Sequence, residues 1–177
     1  MLKMFKKNEK KNKGFTLVEL IIVIAILAVL VGILAPQYVK YVEKSRKSAD
    51  ANNIDNVVQA IMVASADDDY TLPAGTYTVT LSNVGLEVTG PSTALTTKEN
   101  KGALTLALIE YMGESSATYA EGKATYSNTR LKSQKWGEND RQANIVATAT
   151  VSDTGAVSVA YTPVKFSDYV GVKTETD

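Results

Sequence analysis

The stretch KNKGFTLVELIIVIAILAVLVGILAP, Lys11 to Pro36, decides how the rest of the chain is read. From Leu20 to Ala35 no side chain is polar, and one carboxylate, Glu19, stands at the edge of that run. Acids are rare in membrane-spanning helices because burying the charge costs free energy, so Glu19 asks for a reason. As a helix, Phe15 to Val39 would span about 37 Å, enough to cross a hydrocarbon layer of ~30 Å. Upstream, residues 1–14 carry six lysines against Glu9, a net of +5, and the remaining 13 basic and 18 acidic residues net −5. A Lys-rich head before an apolar run keeps that end in the cytoplasm. Such a pattern has three readings: a cleaved secretory signal, a signal anchor, or a specialised leader. A secretory signal ends in small residues at a cleavage site. After Ala35 the chain instead runs Pro36-Gln37-Tyr38-Val39-Lys40, which fits a retained anchor better.

Within this stretch, Lys13-Gly14-Phe15-Thr16-Leu17-Val18-Glu19-Leu20 resembles the prepilin signature of type IV pilins and the related pseudopilins. The resemblance covers Lys11 to about Pro36: a basic leader, a Gly-Phe junction, a Thr-Leu-Val-Glu run, an uninterrupted apolar segment and a trailing proline. It implies that Gly14 precedes a bond cut by a prepilin peptidase. Phe15 then becomes an N-methylated N-terminus, and Glu19 is the carboxylate that guides assembly by pairing with the Phe15 amino group of a neighbouring subunit. Such a pair is stronger in low dielectric than in water, whereas burying either partner alone is costly. The plainer reading of Glu19 is an acid near a helix N-terminus, favoured by the dipole by a few tenths of a kcal/mol to about 1 kcal/mol, at interfacial depth. The Gly14-Phe15 junction tips the balance to assembly. Gly32 and Pro36 also have two readings. They mark either a gentle kink, or a region that loses helix when subunits pack, since proline removes a helix hydrogen bond and glycine lowers propensity.

Beyond Pro36 the helix is expected to continue into water to about Ala66, roughly 78 Å from Phe15 if unbroken. Residues Tyr38 to Asn53 are mostly polar, and Ile54, Val57, Val58, Ile61 and Met62 then recur at helical spacing as one apolar stripe. In the head, Pro73-Ala74-Gly75 reads as a turn, and Tyr77, Val79 and Leu81 alternate with threonines as a strand does. Gly90-Pro91 ends a second apolar piece. Lys101 to Met112 reads as a helix with Leu104, Leu108 and Tyr111 on one side and Gly113 as its stop. Residues 113–142 read as loop. Ala143–Val151 and Ala156–Thr162 flank Ser152-Asp153-Thr154-Gly155, a hairpin signal, and a last strand is expected around Phe166–Val172. The expected fold class is α+β: a long N-terminal helix whose C-terminal half packs on an antiparallel sheet, the pilin fold that the resemblance implies. The expected segments are a leader at 1–14, a transmembrane and assembly half-helix at 15–39, an amphipathic half-helix at 40–66 and a head at 67–177.

The chain has neither Cys nor His, which excludes disulfides, thiolate catalysis and any Ser-His-Asp or Cys-His mechanism. Asp153-Thr154-Gly155 matches an aspartic-protease triplet, but that chemistry needs two carboxylates and the position suits a turn. Asp67-Asp68-Asp69 offers oxygens to Ca²⁺ without the spacing of a known loop, so a solvated helix end is favoured. Trp136 and the head tyrosines read as buried or rim aromatics ahead of a binding surface. No phosphate loop is present, and the acidic body gives no case for nucleic acid. No cofactor, metal or catalytic residue is expected. The first expectation is a structural subunit of a type IV pilus-like fibre, with a mature chain of 163 residues. Its implied partners are further copies in a helical fibre, the prepilin peptidase, the assembly platform and motor proteins, and the membrane. The precursor would be single-pass with its N-terminus cytoplasmic, and the fibre extracellular, serving adhesion, motility or secretion. A pseudopilin of a secretion or DNA-uptake system is the nearest alternative, and a membrane-anchored enzyme or receptor a third.

Overall fold

The computed structural model describes residues 15–67, 72–96, 102–113 and 117–171. Helix α1 runs Leu17–Ala66, and the strands and helices after it are β1 (Gly75–Leu81), β2 (Leu86–Thr89), α2 (Ala103–Met112), β3 (Ala117–Ala120), β4 (Lys123–Tyr126), β5 (Ile145–Val151), β6 (Val157–Thr162) and α3 (Val164–Val170). A short 3₁₀ turn covers Glu138–Asp140. By compactness the chain divides into residues 1–42 and 43–177. In the first unit, the described residues are helix from Leu17 onward and exposed as far as Tyr41. The second unit is α+β: the part of α1 from Glu43 onward packs on an antiparallel six-stranded sheet of order β3-β4-β2-β1-β5-β6.

The sheet forms where period-2 alternation meets an apolar helix face. Tyr77, Val79 and Leu81 of β1 point into the core, with Val79 opposite Val88 of β2 and Ala147 of β5. They meet Ile54, Val57, Val58, Ala60, Ile61 and Ala64 of α1, all buried. The expected stripe is therefore present, except that Met62 at its edge is exposed and two alanines the reading omitted allow close approach. The β5–β6 hairpin turns at Ser152–Gly155 as read, where Gly155 takes φ +78 and the Ser152 N–H donates to the Ala156 carbonyl at 2.9 Å. In α2, Leu104 and Leu108 are buried, but Tyr111 is exposed, and Thr105 and Ala107 complete the inner face.

Two expectations fail. Residues 113–142 are not featureless loop: β3 and β4 form a hairpin across Glu121-Gly122, placing β4 beside β2. These strands are short and Ala/Thr-rich, so their apolar signal is weak. Their pairing is supported by side-chain contacts, the Tyr119 and Tyr126 hydroxyls at 2.8 Å across the hairpin and the Tyr126 hydroxyl donating to the Leu108 carbonyl of α2 at 3.4 Å. The strand expected around Phe166–Val172 is instead helix α3, and Val172 itself lies outside the described residues. Phe166, Tyr169 and Val170 sit at helical spacing, Pro163 precedes the first turn, and Gly171 closes it in the left-handed conformation. Packing of Phe166 on Trp136 and Tyr161, at ring separations of 4.9 and 5.5 Å, outweighs the β-propensity of these residues.

Asp50, 0% exposed, is the unexpected core residue. Its Oδ1 accepts from the Lys132 N–H at 2.7 Å, and its Oδ2 from the Ser133 N–H at 2.8 Å and the Trp136 indole at 2.9 Å. Two turns earlier, Glu43 accepts from the Ser133 hydroxyl. A strap at 131–136 is thus tied to α1, with Trp136 fully buried against it. The buried carboxylate is tolerated because each oxygen is met by a donor.

Burial also governs how the head meets alkali. Buried Tyr77, whose hydroxyl donates to the Pro73 carbonyl at 2.7 Å, has its phenol pushed up to about 12. Burial and then the bond to Tyr119 push Tyr126 up as well. A folded-state value raised above the ordinary ~10 means that the stability these phenols support is complete below pH ~10 and lost as pH climbs from there through about 12. The melting temperature should therefore hold steady up to pH ~10 and fall steeply above it. A melting temperature that stayed level across that window would show that these phenols ionise as freely folded as unfolded.

Candidate functional site at the start of the long helix

Thr16-Leu17-Val18-Glu19 has the spacing of a capping box, in which a hydroxyl and a carboxylate three residues apart satisfy each other's backbone donors. The structure builds it. The Glu19 N–H donates to Thr16 Oγ1 at 3.3 Å, while Glu19 Oε2 accepts from the Thr16 N–H at 2.8 Å and the Thr16 hydroxyl at 2.9 Å. The Leu20 N–H then donates to the Thr16 carbonyl at 3.2 Å, the first turn of the helix. Thr16 is therefore the N-cap and Glu19 the third helical residue. Thr16 was not among the expected site residues, although its spacing to Glu19 was readable in the sequence.

Of the expected site residues, Gly14 lies outside the described residues. Phe15 precedes the helix and is 87% exposed. Glu19 lies less than one turn inside it. Its carboxylate is engaged with Thr16, so charge and cap are held at the same end of α1, where the helix dipole favours an anion. Gly32 and Pro36 lie farther along the same helix, which continues through both. They are four residues apart, so the proline ring faces the Gly32 carbonyl and supplies no N–H to it. A side chain at Gly32 would meet nothing beyond the helix's own backbone. The other motifs resolve structurally: Asp153-Thr154-Gly155 is the β5–β6 turn, Trp136 is core, and Asp68 and Asp69 lie outside the described residues.

The segment after Glu19 is exposed on every side, and α1 is long and apolar enough there to cross a membrane. So much apolar surface is stable only in lipid or against other chains. This combination can anchor, and it can present one carboxylate at a defined depth.

A family described as the prokaryotic N-terminal methylation motif matches residues 10–35. No characterised protein and no solved structure matches the chain. The matched residues hold the Gly14-Phe15 junction, the capping box and the apolar run together, so the chain carries the type IV prepilin signature.

Proposed function

We propose that this protein is the structural subunit of a type IV pilus-like fibre rather than an enzyme. The observation that carries the reading is the position of the capping box, directly after the Gly14-Phe15 junction and directly before an exposed apolar helix. In this reading residues 1–14 are a leader removed by a prepilin peptidase, and Phe15 is the methylated N-terminus of the mature chain. Residues 15–39 anchor the precursor and later fill the fibre core, 40–66 form the spine of the head, and 67–177 complete it. The helix start is capped at Thr16, which leaves Phe15, the residue after the proposed scissile bond, outside the regular helix. Glu19 exchanges its contacts with Thr16 for the Phe15 amino group of a neighbouring copy. The Gly32–Pro36 turn, short of one backbone hydrogen bond, is where the helix yields on packing. Platform and motor proteins would extract the subunit from the membrane into an extracellular helical homopolymer.

The test is the mature N-terminus. Peptide mass analysis should recover a chain beginning Phe-Thr-Leu-Val-Glu, with added mass on Phe15 from methylation. A chain that retains Met1, or one beginning after Ala35, would overturn the reading.

A further inference from the structure

The span expected at 15–39 ends among aromatic residues and is followed by cations, which is unusual for the non-cytoplasmic side of an anchor. Tyr38 and Tyr41 are 69% and 72% exposed, the placement of interfacial aromatics. Lys44, Arg46 and Lys47 come next in the chain. Positive charge ordinarily marks the cytoplasmic flank, and that role is already filled by the six lysines of residues 1–14. The second cluster therefore needs another explanation.

The strap supplies more of the same sign. By tying residues 132 and 133 to Asp50 and Glu43, it brings Lys132 and Lys135 to the stretch of α1 that carries Lys44 and Lys47. Three of the local acids are engaged: Asp50 is buried under three donors, Glu43 is shared by Ser133 and Arg46, and Asp140 holds Lys165; the exposed Glu138 and Asp168 are the carboxylates left at this face, against the cations of α1 and the strap. Lys47 lies over the Trp136 ring at 4.7 Å. Its burial, then the nearby Lys165, pull its ammonium below the usual range. Lys135 adds to that pull, while Glu43 and Asp140 oppose it. Among the described residues, Lys44, Lys132 and Lys135 are exposed and have no carboxylate within ion-pair distance. Beside them α3 exposes Val164, Tyr169 and Val170. Cations mixed with exposed apolar side chains make an interfacial surface. Lys44 follows Val39 by five residues, so chain length alone keeps it within about 18 Å of the span's end, whatever path the backbone takes.

We propose that this face of the head, centred on Lys44, Lys132 and Lys135, docks on the anionic phospholipid headgroups of the membrane that anchors the precursor. The proposal rests on the membrane-anchored reading above. The three ammonium groups meet headgroup phosphates, and Val164 and Val170 of α3 enter the headgroup layer. The rest of the head is acidic and is repelled from the same surface, which fixes which side faces the membrane. Docking holds the head close to the bilayer before extraction, and release costs only screened charge contacts.

Trp136 is the only tryptophan of the chain and lies against this face, so energy transfer from it to a dansyl-labelled headgroup reports docking. The full chain is reconstituted in phosphatidylcholine vesicles with and without phosphatidylglycerol. Transfer should be strong only with phosphatidylglycerol, and should collapse near 1 M salt, where the screening length is ~3 Å. Each neutralised lysine should lower the ratio of docked to undocked heads about fivefold, so Lys44→Gln shifts it about fivefold and the Lys44→Gln, Lys132→Gln, Lys135→Gln triple roughly 100-fold. The triple variant should fold, because Asp50 is met by the Lys132 backbone rather than its side chain. Protease protection on the same vesicles separates the two ideas. A chain that fails to insert overturns the anchored reading, whereas an inserted chain whose transfer ignores phosphatidylglycerol overturns the docking alone. Transfer that instead follows protein density and vanishes on dilution assigns the face to a second copy of the chain, and the lipid proposal is then wrong.

Discussion

Cells carrying Glu19→Ala should hold processed, membrane-resident subunit and display no fibres. Removing the acid raises the hydrophobicity of the segment, so insertion persists or improves. The Gly14-Phe15 junction is untouched, so the leader is still removed. What fails is docking of the next subunit: its Phe15 ammonium enters the apolar core without a counter-charge, an unpaired burial costing about 3–5 kcal/mol. Glu19 also serves the cap, however, and its loss frees the Thr16 N–H, an effect of about 1 kcal/mol. Glu19→Gln separates the two roles. Glutamine keeps the capping-box acceptor and loses the charge, so under the proposed mechanism it too leaves the surface bare. Fibres restored by Gln but not by Ala would make Glu19 a helix cap and nothing more. Normal fibres from Ala would make it a bystander at the interface.

The second large effect is expected in the head. Asp50→Ala leaves three donors, the Lys132 and Ser133 N–H groups and the Trp136 indole, buried with no acceptor. Stripping one side from a buried charged network costs about 3–5 kcal/mol, a large share of the 5–15 kcal/mol that holds a typical domain together. The melting temperature of the detergent-solubilised chain should drop accordingly, and Trp136 emission should shift to the red as water reaches the ring. Asp50→Asn keeps one acceptor oxygen but turns an NH₂ toward a donor, so it should fall between wild type and Ala. An Asp50→Ala head that melts like wild type, with unshifted emission, would show the strap to be held by Trp136 and Phe166 packing alone.

What the sequence made legible follows from range. The long helix, the β1 alternation and the β5–β6 turn are carried by neighbouring residues, so periodicity and turn chemistry reveal them. The capping box was equally local: Thr16 and Glu19 are three residues apart, and only the weight placed on the Gly14-Phe15 junction hid it. Asp50 shows the opposite. In its own window it is one more charge on a polar stretch of helix, and its donors arrive 82 to 86 residues later. No local pattern marks a carboxylate that is to be buried. Helix α3 falls between these cases. Val164, Phe166, Tyr169 and Val170 are strand formers by propensity, and against that stood only the helical spacing of Phe166, Tyr169 and Val170 and the flanking Pro163 and Gly171. The β3–β4 hairpin was missed because Ala-Thr-Tyr-Ala and Lys-Ala-Thr-Tyr are too weakly apolar to stand out from a Ser- and Thr-rich surround.

The distance between Asp50 and its donors acquires a temporal meaning if the chain crosses the membrane with its N-terminus held inside. Asp50 and the stripe from Ile54 to Ile61 reach the far side first, and the strap that covers them is among the later segments to emerge. Until Trp136 has crossed, the carboxylate has no indole to hold, and until Ile145–Val151 follows, the stripe lacks β5, a neighbour of β1 in the sheet. A chain stalled before that point therefore displays a greasy, half-dressed spine to whatever proteases or holding factors patrol that compartment.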